Sequence, residues 1–235
     1  MYLEKAVSDC DDFDEDLWTN NMDEGIQVVG ARDSFKLNAI YQVFEKFSSE
    51  EPCEIFVLSP DIEQKQFWDL AGIPIAQDLD RIAFALRQLL QEFHKRQRPF
   101  RIFLGHPIVC VIELDGLHDA LAEQALRLGV EYDARELNEA VTELRDLGPM
   151  VGVTVIACTT KWMPFWNHCL FLGERAIEFA KAASRDVFEE VHNQAHPCCF
   201  TISNNVYLMS VTDHFTQFVP RAIELVPGNK RAIDL

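Results

Sequence analysis

The chain contains no C-x-x-C pair, no G-x-S-x-G and no H-E-x-x-H. Disulfide exchange, nucleophile-elbow hydrolysis and zincin chemistry therefore have no local signature. No apolar run approaches the ~20 residues of a membrane span, and the acidic N-terminus lacks the positive charge and apolar core of a signal peptide. Positive charge is scarce: 21 Lys and Arg stand against 38 Asp and Glu, giving a net charge of −17. That balance repels nucleic acid on average and counts against a generic DNA-coating role. The 7 cysteines are an odd number scattered among apolar segments, which suits reduced, mostly buried thiols in an intracellular compartment.

What is present is a globular composition: 235 residues, 48% hydrophobic and 11% aromatic. This is enough for a substantial core in one α/β domain. Acidity is concentrated at the start, where residues 1–25 hold nine acids and one lysine. They read as a solvated acidic tail, with Phe13, Leu17 and Trp18 as apolar anchors for a docking partner. Residues 26–235 read as the folded domain.

Periodicity predicts strands at Ile26–Val29, Cys53–Ser59, Ile108–Leu114 and Gly152–Thr159, with a short one at Cys169–Leu172. Helices are predicted over Asn38–Phe47, Leu79 to about Lys95, Ala134–Leu147 and Ala176–His192. Cys198–Ser203 and Val206–Ser210 read as a hairpin around Asn204-Asn205. Strands alternating with helices imply an α/β fold: a mostly parallel sheet with helices on both faces.

The first strand runs into Gly30-Ala31-Arg32-Asp33-Ser34-Phe35-Lys36-Leu37. A phosphate-binding loop reads G-x-x-x-x-G-K-[ST]: its second glycine lets backbone N–H groups close on a phosphate, its lysine reaches the β/γ-phosphates and its hydroxyl holds Mg²⁺. Gly30 and Lys36 stand at the correct spacing. Phe35 replaces the second glycine and Leu37 the hydroxyl, and leucine has no oxygen to offer magnesium.

Ligands gather at the carboxyl ends of strands in such sheets. One further strand ends in Glu113-Leu114-Asp115, apolar residues followed by carboxylates of the kind that hold Mg²⁺ and orient water. Another ends at Thr159-Thr160, where hydroxyls are placed to sense a γ-phosphate. Each of these is also an ordinary surface exit from a buried strand. Lys95, Arg96, Arg98 and Arg101 form the one dense basic stretch. They read either as cations on a helix C-terminus or as a contact for nucleic acid or for the acidic tail of a neighbouring subunit. His192, His196, Cys198 and Cys199 offer zinc-type ligands, but adjacent strand cysteines point to opposite faces and Pro197 breaks a helical presentation. They read as buried thiols beside surface histidines, and no metal site is expected.

From Ile26 to about Ser210 the chain resembles the viral genome-packaging ATPases of the poxvirus type, a branch of the FtsK–HerA translocases. The resemblance rests on motif order and local detail. Ile55–Pro60 (IFVLSP) is similar to the family's second strand, which ends in Ser/Thr-Pro, and Cys110–Asp115 to its metal-binding strand. Leu144-Arg145-Asp146-Leu147 followed by Gly152–Ile156 resembles its Arg-His segment and the strand after it. Pro164 with Asn167 is similar to the segment that follows.

The resemblance implies an arginine-finger role for Arg145, catalytic roles for Glu113 and Asp115, and nucleotide binding by Gly30, Lys36, Thr159 and Thr160. The departures point elsewhere. The loop lacks its glycine and hydroxyl, the adjacent acid pair is split by Leu114, Asp146 stands at the histidine position, and no glutamine stands at the sensor. These losses remove much of the electrostatic stabilisation on which phosphoryl transfer depends. The leading expectation is a pseudo-ATPase, not an enzyme, serving virus assembly or a structural role through contacts with other viral assembly or capsid proteins. No cofactor is expected on that reading. The alternatives are an active ATP- and magnesium-dependent DNA-packaging translocase, working as a homo-oligomeric ring with Lys36, Asp115 and Arg145, or a nucleotide-binding regulator without turnover. Either way the expected location is the infected cell, cytoplasm or nucleus, or the virion.

Overall fold

A computed structural model describes residues 25–31, 36–42, 53–97, 106–183, 185–202 and 205–208. The acidic tail, the loop residues 32–35, and Arg98 and Arg101 of the basic stretch lie outside the described residues. The described residues fall into two compact units, one built before residue 50 and from Cys158 onward, the other from Cys53 to Ala157.

In the second unit the strands are β2 (Glu54–Leu58), β3 (Ile75–Ala76), β4 (Ile108–Glu113) and β5 (Val153–Thr159), in the order β3-β2-β4-β5. β2 pairs in parallel with both β3 and β4. Every residue of β4 and β5 is buried. Successive strand side chains face opposite ways, so both faces of the sheet are covered here.

Helices α2 (Gln64–Leu70), α3 (Leu79–Arg96), α4 (Leu114–Leu128) and α5 (Arg135–Leu147) belong to this unit. α3 forms where the sequence places Asp78 as N-cap, accepting the Arg81 N–H at 2.8 Å, with basic residues in the last turn to match the helix dipole. Its buried stripe is Ile82, Ala85, Leu89 and Phe93, a helical spacing. Burying a ring such as Phe93 contributes roughly 1.5–3 kcal/mol. After α5 the chain turns at Gly148, where a Cβ would meet the Leu144 and Val153 carbonyl oxygens at 2.2 and 2.4 Å. Only glycine fits that approach of two backbones.

The first unit holds β1 (Ile26–Val29), helix α1 (36–42), β6 (His168–Leu172), helices α6 (Glu174–Ala183) and α7 (Arg185–His192), and strands β7 (Cys198–Ile202) and β8 (Asn205–Leu208). Its strand order is β1-β6-β7-β8; β1 and β6 are parallel, while β6–β7 and β7–β8 are antiparallel. The last residues of β5, Cys158 and Thr159, belong to this unit, and the Gly30 N–H donates to the Thr159 carbonyl at 2.9 Å.

The α/β expectation holds, with corrections in detail. Gln64–Leu70 and Ile75–Ala76 form elements where none was expected. The third predicted strand stops at Glu113, and a 15-residue helix starts at Leu114. The single helix expected over Ala176–His192 is two. The hairpin's second strand already includes Asn205.

Candidate functional site

The exit of β1 carries the loop motif. Gly30 is buried and extends the strand's pairing, and Lys36, the first described residue of helix α1, is only 4% exposed. Leu37 is therefore the second described residue of that helix, where a phosphate-binding loop would present its magnesium hydroxyl. Phe35, expected in place of the second glycine, lies outside the described residues.

Thr159, at the end of β5, has its hydroxyl committed. Its Oγ1 accepts from Gln27 Nε2 at 2.8 Å and donates to the Lys161 carbonyl at 2.9 Å. Gln27 is fully buried in the middle of β1. Its Nε2 also donates to the Lys161 carbonyl at 2.9 Å, and its Oε1 accepts the Met163 N–H at 3.1 Å. One amide thus fixes the segment after β5 from beneath, while Thr160 is exposed at its surface. Sequence reasoning missed Gln27: it is one polar residue in an apolar strand, and its partners lie more than a hundred residues away.

In the second unit, the ends of β2 and β4 are tied by a different glutamine. Gln64 Nε2 donates to Glu113 Oε1 at 3.2 Å and to Asp61 Oδ2 at 3.4 Å, and Gln64 Oε1 accepts the Trp68 indole N–H at 3.3 Å. Glu113 is 6% exposed. Ser59 Oγ accepts the Asp61 N–H at 3.2 Å, closing the turn after β2. Asp115, expected on a strand with Glu113, instead lies half-buried in the first turn of α4, where a carboxylate suits the helix dipole. Gly116 lets this turn approach Pro60, whose Cγ would stand 3.5 Å from an added Cβ. His118, without an evident partner in the sequence, bridges Tyr132 Oη at 2.6 Å and Asn138 Oδ1 at 3.1 Å, tying α4 to α5.

Arg145 lies near the end of α5 with its side chain 14% exposed, and its Nε donates to Asp146 Oδ1 at 2.5 Å. The basic stretch departs from the nucleic-acid expectation at Arg96. That side chain is 8% exposed; its Nε meets Glu92 Oε1 at 3.0 Å and its Nη atoms donate to the Gly152 and His106 carbonyls, both at 3.2 Å. Arg96 is a tie within the unit. Lys95 pairs with Glu92 at 2.8 Å and His94 with Glu143 at 3.1 Å, so acids face the described cations of this stretch. Partial burial works to raise the Glu92 pKa, but the Lys95 and Arg96 hydrogen bonds and charges outweigh it and hold the carboxyl below its usual range.

Cys198 and Cys199 are buried, His192 is exposed and stacks on Phe188 at 5.3 Å, and His196 is half-buried. Among the described residues no group of three or more His, Cys, Asp or Glu is arranged to hold a metal ion, and no helix is long and apolar enough to cross a membrane.

No protein-family model and no curated protein sequence matches the chain. Solved structures do. EssC (ATPases 2 and 3) from Geobacillus thermodenitrificans matches at TM-score 0.55 and 14% identity, covering 81% of this chain and 37% of that one. The pCW3 conjugation coupling protein TcpA, in monomer form with ATPγS, matches at TM-score 0.57 and 13% identity, covering 86% and 64%. The genome packaging NTPase B204 from Sulfolobus turreted icosahedral virus 2, in complex with ATPγS, matches at TM-score 0.49 and 14% identity, covering 82% and 100%. The chain spans less than two thirds of the EssC and TcpA structures. At these identities the likeness establishes architecture only: the chain has a P-loop NTPase-like α/β fold, shared with the EssC and TcpA structures.

Proposed function

We propose that this chain is a pseudo-ATPase: a packaging-motor fold without effective hydrolysis, acting in virus assembly or as a structural component through protein–protein contacts. The observation that carries the reading lies in helix α1, where Lys36 is buried and Leu37 follows it directly. The residues present do not fit Mg·ATP. Leucine offers magnesium no oxygen, Thr159 has spent its hydroxyl on Gln27 and Lys161, and Glu113 accepts from the Gln64 amide. Arg145, the residue the sequence resemblance puts forward as an arginine finger, is held by its neighbour Asp146. The viral setting comes from that sequence resemblance, and partners among viral assembly or capsid proteins belong to the same proposal.

A second reading has one observation in its favour: Lys36 lies in the helix after β1, where a phosphate-binding lysine belongs. In it, Lys36, Asp115 and Arg145 of a neighbouring subunit serve an active translocase. Phosphate release separates the two. The pseudo-ATPase reading expects release from Mg·ATP to be no faster than from a Lys36→Ala chain, with and without DNA; Lys36-dependent turnover would establish the second reading.

A further inference from the structure

The segment after β5 presents aromatic side chains that are both exposed and held. Trp162 is 49% exposed and Phe165 is 55% exposed. Trp162 stands edge-on to Phe171 and Phe179, with ring centroids at 6.2 and 6.4 Å, and those two rings stack at 4.3 Å. Beneath the segment, the Gln27 amide holds the Lys161 carbonyl and the Met163 N–H. An exposed tryptophan fixed in this way loses little entropy on contact, the property of an interface anchor. It belongs to the first unit.

Charge decides what fits there. The chain as a whole is strongly acidic, yet Lys161, beside Trp162, is exposed and has no ion-pair partner among the described residues. Arg175, one helical turn before Phe179, is paired with Glu178. The described cations of the 94–101 stretch, by contrast, already face acids. The platform therefore suits an acidic segment that also carries aromatic side chains. The sequence contains one: Asp9-Cys10-Asp11-Asp12-Phe13-Asp14-Glu15-Asp16-Leu17-Trp18, six acids around Phe13, Leu17 and Trp18. We propose that the Lys161–Phe165 surface is the docking site for residues 9–18 of a second copy of this chain, the aromatics packing on Trp162 and Phe165 while the carboxylates meet Lys161.

The test is fluorescence anisotropy of a labelled peptide of residues 9–18. It is titrated onto a full-length chain whose own segment is silenced by Asp11→Asn, Asp12→Asn, Phe13→Ser, Asp14→Asn and Trp18→Ser. Binding to the silenced chain is expected, weakening as salt shortens the reach of the charges. It should weaken by about tenfold or more with Trp162→Ala or with Lys161→Glu. Lys161→Glu alters only an exposed side chain, so it answers even if Trp162→Ala disturbs the fold. Sedimentation velocity of the unaltered chain should show self-association that the silenced chain loses. Absence of peptide binding, equal binding to the Lys161→Glu chain, or a monomeric unaltered chain at all concentrations would overturn the proposal.

Discussion

Gln27 and Thr159 stand 132 positions apart in the sequence and meet through a 2.8 Å hydrogen bond from the Gln27 amide to the Thr159 hydroxyl. The same amide serves the Lys161 carbonyl and the Met163 N–H, so one buried side chain binds β1 to the end of β5 and to the segment beyond it. Replacing Gln27 with leucine keeps the volume, takes the acceptor from the Met163 N–H, and removes the amide's bonds to the Thr159 hydroxyl and the Lys161 carbonyl, which keep only each other. Each unsatisfied buried polar group costs about 1–3 kcal/mol. Gln27→Leu should therefore destabilise the chain by about 1–3 kcal/mol in urea denaturation. It should also loosen the segment, seen as faster amide exchange over 160–166. A change within about 0.5 kcal/mol would show that the amide is not a structural tie.

Lys95 and Arg96 are neighbours that the sequence treats alike and the structure does not. Arg96→Ala removes a nearly buried guanidinium with a carboxylate and carbonyl partners, at an expected cost of about 1.5–3 kcal/mol. Lys95→Ala removes an exposed pair with Glu92, worth about 0–1 kcal/mol. Acid separates the contributions. Because the Glu92 carboxyl sits below its unfolded value, its contribution is present above the unfolded pKa and fades as pH falls through the folded one. The Arg96→Ala penalty should thus shrink, without vanishing, in denaturation curves taken from neutral pH to below the depressed Glu92 pKa. A penalty that grows on acidification would contradict this.

The thiols give a chemical check on burial. Cys53, Cys110, Cys158, Cys169, Cys198 and Cys199 are all buried, and none is in a disulfide. Burial pushes the Cys53 thiol to about 11 and the Cys199 thiol to about 12; Cys169 also reaches about 12, where burial outweighs hydrogen bonds from Trp162 and Thr201. At pH 8 the thiolate fraction of such groups is about one in a thousand or less. Ellman titration of the native chain should leave these six unreactive, whereas the denatured chain should yield all 7 cysteines. Rapid reaction of several thiols in the native chain would refute the packing around them.

Repairing the loop tests whether Phe35 and Leu37 keep nucleotide out. With Phe35→Gly and Leu37→Thr together, the loop regains the backbone freedom and hydroxyl that phosphate and magnesium need. The repaired chain should bind Mg·ATP at least about tenfold more tightly than the unaltered one, a gain of about 1.4 kcal/mol. No gain would place the defect elsewhere, for instance in the Glu113–Gln64 tie.

Apolar runs made β1, β2, β4 and β5 legible from sequence, because four to seven buried residues bounded by loop residues have few other uses. α2 was not legible: its seven residues bury only Gln64 and Trp68, too few to show a period. α4 was hidden because it begins directly on the strand, and Glu113-Leu114-Asp115-Gly116 reads equally well as a strand running out into a turn. The loop motif was legible by spacing alone. The two glutamines that organise the strand ends were not, since a polar residue inside an apolar run gains meaning only when its distant partners are known.

The central claim is that this fold no longer handles nucleotide, and isothermal titration of the full chain with Mg·ATP against a Lys36→Ala control tests it most directly. The pseudo-ATPase reading predicts no binding heat and no thermal shift at millimolar ATP, with the two chains indistinguishable. Micromolar binding that disappears in the Lys36→Ala chain would contradict it.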